Sequence, residues 1–177
     1  RARRARRREG REPVGVGAHI PQAGGRCSVR PSILFFAEGH PKGQPRPRAF
    51  SRGGHASVYN PDTADAWKAS VSKAWKETVP KEDKHPFTGP VFVAMEFVMK
   101  RPKSHFGSGK RSGDLKLTAP RVHVYKPDID NLAKPVLDVL TNVGAWKDDA
   151  QVTTIKVTRR WAEHMSGCTV RISEDLQ

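Results

Sequence analysis

The tightest constraint on this chain lies in residues 126–152, KPDIDNLAKPVLDVLTNVGAWKDDAQV, where a helical repeat of apolar residues is bracketed by aspartates. Leu132, Val136, Val139, Leu140 and Val143 form one stripe, with Asn131, Lys134, Asp138 and Thr141 on the other side, so the helix must lay one face on a core. Pro127 biases Lys126 towards extended backbone. Asp128-Ile129-Asp130 is therefore expected to enter the helix as extended chain, with both carboxylates on one face. Asp130 and Lys134, four residues apart, share a side of the helix. Pro135 falls about a turn in, where it removes a hydrogen bond and bends the helix. The helix rises about 17 Å. The steps from Thr141 to Asp149 span up to about 26 Å, so a reversal near Gly144 allows Asp149 to return to the helix start.

Carboxylates in this arrangement suit hard cations such as Mg²⁺, which take oxygen ligands. Ordinary structural roles compete with that reading: Asp128 or Asp130 as a helix N-cap, Lys134 paired with Asp138, and Asp148-Asp149 as a turn before a strand. A DxD pair also occurs in phosphotransferases and sugar-nucleotide transferases. No buried parallel strand here runs into a DxDxT nucleophile loop.

Charge narrows the partners. Lysine and arginine number 32 against 18 acids, a net charge of +14, which favours a polyanion, nucleic acid before an anionic membrane. Residues 1–31 carry nine arginines and two glutamates among glycines and prolines, the composition of a disordered basic arm that attracts phosphates without specificity. An upstream extension without function is the competing reading. No apolar run approaches the roughly 18 residues of a membrane span. The Arg-rich start lacks the long apolar stretch of a secretory signal. Cys27 and Cys168 belong to no CxxC pattern, so the expected compartment is the reducing cytoplasm.

The folded domain is expected over residues 32–177. SILFFAEG opens it as a short strand, and a basic loop follows, HPKGQPRPRAFSRGGH, whose Lys42, Arg46, Arg48 and Arg52 sit among prolines and glycines and can meet phosphates. Asp62 or Thr63 is the expected N-cap of an amphipathic helix over residues 64–79, with Trp67 and Trp75 in or near the core. VFVAMEFVM reads as a strand. Residues 100–126 hold eight lysines or arginines against one aspartate and read as a mobile basic loop offering Lys103, Lys110, Arg111 and Lys126 to a nucleic-acid backbone. Its GSGK lacks the glycine spacing of a P-loop. His105 and His123 have no partners at metal-ligand spacing. Residues 151–162 and 167–172 alternate and are expected to pair as a hairpin. The fold class is α+β, a small mixed sheet with two main helices in the order β-α-β-(loop)-α-β-β.

The motif DIDNLAK at residues 128–134, followed by LDVL and then WKDDAQV, closely resembles the RusA family of Holliday-junction resolvases, as do FFAEGHPKGQPRPRAF and the YNP turn its phage-type members. The match runs over about residues 33–172 in element order and is most specific across residues 126–152. The resemblance implies a small homodimer that cuts branched DNA with Mg²⁺ or Mn²⁺ in the cytoplasm, and is compatible with a phage or prophage origin. It places the family's essential aspartates on Asp128, Asp130 and Asp149 and its essential lysine on Lys134, and it adds Asp148, the acidic position beside the last aspartate, to the expected metal ligands. Pro135, the long 100–126 loop and the N-terminal arm depart from the pattern without removing a catalytic position. A DNA-junction-binding protein of the same fold without effective catalysis is the alternative.

Overall fold

The computed structural model describes residues 32–59, 61–82 and 87–175, with the side chains of Arg52, Tyr59 and Asp62 left aside. The basic arm at residues 1–31, and Cys27 within it, lie outside the described residues. β4 (Val91–Met99) organises the rest: Val91, Val93, Met95 and Phe97 point into the core, each no more than 2% exposed. A strand this apolar is stable only with neighbours on both edges. β6 (Gly167–Glu174) pairs with it antiparallel and β5 (Val152–Trp161) parallel, while β1 (Ile33–Glu38) adds to the far edge of β6, giving the order β1-β6-β4-β5.

The expected β5–β6 hairpin is therefore wrong, because β4 lies between the two strands. Alternation specifies which face of a strand is buried and leaves the identity of its neighbours open. The short 162–166 connection instead bridges the end of β4, where Ala162 N–H donates to Met99 O at 2.7 Å. A parallel pair needs a crossover, and between β4 and β5 that crossover contains α2 (Ile129–Asn142).

Both helices pack on one face of the sheet and touch each other. α1 (Asp65–Thr78) buries Trp67, Val71, Ala74 and Trp75, and Trp75 meets Phe35 of β1 edge to face. It is entered through a 3-10 turn, Asp62–Ala64, with Ala64 at the cap and no side-chain hydrogen bond there. Neither Asp62 nor Thr63 is the N-cap as expected, since the 3-10 turn ties the entering chain first. α2 buries Leu132, Val136, Val139 and Leu140; each such side chain contributes about 1.5–3 kcal/mol on leaving water.

Part of the expected basic loop is ordered. β2 (Arg48–Arg52) and β3 (His55–Tyr59) form a separate hairpin closed by Gly53 and Gly54, both with positive φ, as a two-residue turn of matching twist requires.

Candidate active site

α2 begins one residue earlier than the sequence implied, and this separates the first two aspartates. The Leu132 N–H donates to Asp128 O at 3.0 Å, the first bond of the helix, so Asp128 is the N-cap in extended conformation and Asp130 already lies in the first turn. Only Asp128 keeps the extended geometry expected of both. The carboxylates diverge: Asp130 opens on a groove of about 550 Å³ between α2 and β5, and Asp128 on a neighbouring one of about 440 Å³.

The larger groove gathers Asp130, Lys134, Asp138 and Asp149 above apolar walls that include Ile155 and Val157 of β5. Helical spacing explains the first three. Asp149 arrives by the expected reversal. Gly144, at φ +80°, follows the helix end; its N–H donates to Thr141 O at 3.1 Å and that of Ala145 to Leu140 O at 2.9 Å, a Schellman closure. Fully buried Trp146 then donates from Nε1 to Thr141 Oγ1 at 2.9 Å and fixes the exit direction.

The turn bearing Asp149 is a 3-10 turn, Asp149–Gln151, closed by a capping box. Asp148 Oδ1 accepts from Ala150 N at 2.8 Å, while Gln151 Oε1 accepts from the amides of Lys147 and Asp148 at 2.9 and 3.1 Å. Gln151 Nε2 reaches across to Phe87 O and Gly89 O at 3.3 and 3.0 Å. Sequence reasoning passed over Gln151, although D-x-x-Q before a strand is the signature of such a box. Asp148 is occupied as a cap and does not line the groove.

The smaller groove is lined by Lys42, Arg46, Lys126, Asp128 and Asn131. Its basic wall is seated by an unusual acceptor. Pro135 is buried inside α2 and has no N–H to give Asn131, four residues back. That carbonyl instead accepts from Gln44 N at 3.1 Å. The close approach needs glycine beside it: a Cβ on Gly43 would stand 2.6 Å from Asn131 Nδ2 and 3.0 Å from Pro127 Cβ. The helix is unbroken from Ile129 to Asn142.

Of the other basic candidates, Arg48 and Arg52 stand on the hairpin strand β2, Lys103 on one 3-10 turn, and Lys110 and Arg111 on another; Arg48, Lys103, Lys110 and Arg111 line neither groove. The 100–126 segment is tied down rather than loose. Phe106 bridges to Leu115, Gly107 N donates to Asp114 O, and Lys116 N to His105 O. His105 and His123 are both buried against Trp161 at the end of β5, with ring centroids 5.0 and 4.3 Å from it, and Arg101 lies over the same indole at 5.2 Å. Burial, and secondarily the Arg159 charge, lowers the His123 pKa below its usual 6.5; its Nδ1 has no hydrogen-bond partner. Burial and then nearby Glu96 push the free Cys168 thiol far up, which makes it an inert core residue.

An α+β domain with aspartates and a lysine above one groove, and a basic groove next to it, has the form of a protein that works on a phosphate backbone. Residues 38–173 match the family described as Endodeoxyribonuclease RusA, and the chain belongs to that family of nucleases. It is also 32% identical over 133 residues to an uncharacterized protein, YqaN, of Bacillus subtilis (strain 168), a match covering 74% of this chain and 89% of that one.

The donor set fits a hard cation in chemical type. Mg²⁺ keeps several waters and is commonly held by one or two carboxylates together with substrate phosphate, and Asp130 and Asp149 share a groove in that manner. No three acidic, histidine or cysteine side chains among the described residues gather closely enough to form a complete cage. Among the described residues, no helix is long and apolar enough to cross a membrane.

Proposed function

We propose that this protein is a divalent-metal-dependent endodeoxyribonuclease that resolves four-way DNA junctions by paired phosphodiester hydrolysis, acting as a homodimer. The observation that carries the reading is the return of Asp149 to the groove that already holds Asp130 and Lys134, in a chain of the RusA family. Asp130 and Asp149 would hold Mg²⁺ or Mn²⁺, with Asp128 as a further carboxylate from the helix cap. Such an ion lowers the pKa of bound water and offsets charge on the attacking and leaving oxygens. Lys134, exposed on the groove wall, adds fixed positive charge where negative charge develops. Asp148 caps the turn that aims Asp149 and serves the metal only indirectly.

Lys42, Arg46 and Lys126 receive the strand beside the cut; the cations on β2 and the 100–126 segment extend that track. Two-fold pairing of subunits supplies two sites for symmetric nicks. The test is cleavage of an end-labelled synthetic four-way junction. Paired nicks that need Mg²⁺ and vanish in Asp130→Asn are expected. Junction binding without nicks, unaltered by that substitution, would favour a binding protein without catalysis and overturn the enzyme reading.

A further inference from the structure

Arg159 breaks an apolar row. On β5, Ile155 and Val157 face α2 and line the larger groove, so alternation puts residue 159 on the same face, ahead of buried Trp161. A half-buried guanidinium there must find acceptors. Arg159 Nη1 donates to Tyr125 O at 3.0 Å and to Pro127 O at 2.7 Å. The second acceptor belongs to the peptide that joins Pro127 to Asp128, and the two bonds straddle Lys126. Trp161, the next residue on that face, holds the same segment through His123, centroids 4.3 Å apart, and Tyr125, 6.2 Å apart. The approach to α2 is thus clasped from one strand by a charged group and by an indole.

We propose that Arg159 is a positioning residue for the nuclease site. It fixes the peptide plane leading into Asp128 and so the direction in which Asp128 projects, without touching metal or DNA. This rests on the reading of Asp128 as a metal ligand. An apolar residue at 159 would leave two carbonyls unheld, one of them at the residue before the helix cap. The guanidinium suits the task because it stays charged in a partly buried place and presents its donors in a fixed plane.

The test compares Arg159→Gln and Arg159→Lys with the parent in the full chain, by amide exchange across residues 126–132 and by the Mg²⁺ dependence of junction cleavage. In Arg159→Gln, exchange of the Leu132 amide, which donates to Asp128 O, accelerates, and half-maximal cleavage requires roughly 10- to 100-fold more Mg²⁺, the span usual for partners that orient a ligand. Metal-free junction affinity stays within about two-fold of the parent, the behaviour of a group outside the phosphate track. Arg159→Lys falls between the two and carries the comparison alone if the glutamine variant does not fold. Parental exchange and parental Mg²⁺ dependence in the variants would overturn the proposal. So would a loss of metal-free affinity that matches the loss of cleavage, which would make Arg159 a DNA contact. A parent protein that cuts no junction sinks the nuclease reading instead, and the exchange measurement then decides the role of Arg159 separately.

Discussion

Gln151 illustrates how much of the site depends on a side chain with no chemistry of its own. Its amide closes the turn bearing Asp149 on one side and holds the carbonyls of Phe87 and Gly89 on the other. Truncation removes all four bonds and strands polar groups at a partly buried spot, which costs about 1–3 kcal/mol. Gln151→Ala is therefore expected to melt several degrees lower and to cleave more slowly at saturating Mg²⁺; an unchanged rate in a destabilised protein would separate Gln151 from the aim of Asp149. The aspartates and the lysine that line the two grooves stood out in the sequence, because a DxD, a lysine four residues on and a second acidic pair form a dense pattern. What the pattern did not contain was direction. A one-residue shift in where α2 starts places Asp128 and Asp130 on different grooves, and that shift depends on a single backbone bond to Asp128 O.

At the scale of elements, Pro135 changes meaning. Read in sequence, it weakens a helix; in the fold, the missing N–H leaves Asn131 O available to Gln44 N, which seats the segment carrying Lys42 and Arg46 beside the acidic residues. Pro135→Ala supplies a competing donor. Exchange of the Gln44 amide should then speed up and junction affinity fall while the helix persists; slower exchange at Gln44 would refute this account. The β2–β3 hairpin was legible in principle, since Gly53-Gly54 between short runs is a turn signal, but four basic residues among prolines concealed it. The 100–126 segment hid its anchors as well, because His105, His123 and Trp161 meet only through the fold. That anchor responds to acid. The folded state resists protonating His123, whose pKa is lowered by burial. Below the unfolded value of about 6.5 the unfolded chain takes up a proton that the native state refuses, so stability is full above that pH and is lost as the pH falls towards the lowered value. His123→Phe is expected to flatten the decline in melting temperature between about pH 7 and about pH 5; a decline equal to the parent's would assign it to other groups.

Over the whole molecule, the strands and helices of the central sheet layer were readable one by one, whereas the sheet order was not. The central place of β4 follows from competition among four strands for buried edges, a property no single window of residues holds. Charge, by contrast, is legible before any fold. Half of the +14 lies in residues 1–31, apart in sequence from the residues named at the two grooves, so attraction and chemistry should come apart. Each phosphate neutralised by an arginine releases a counterion and steepens the fall of affinity with salt by about 0.9 on a logarithmic scale for duplex DNA. A chain lacking residues 1–31 is therefore expected to bind duplex DNA more weakly at low salt and with a shallower salt dependence, while cutting junctions at the parental rate once bound. Unchanged affinity at low salt would show that the arm makes no phosphate contacts, and a loss of single-turnover cleavage would place the arm within the catalytic assembly.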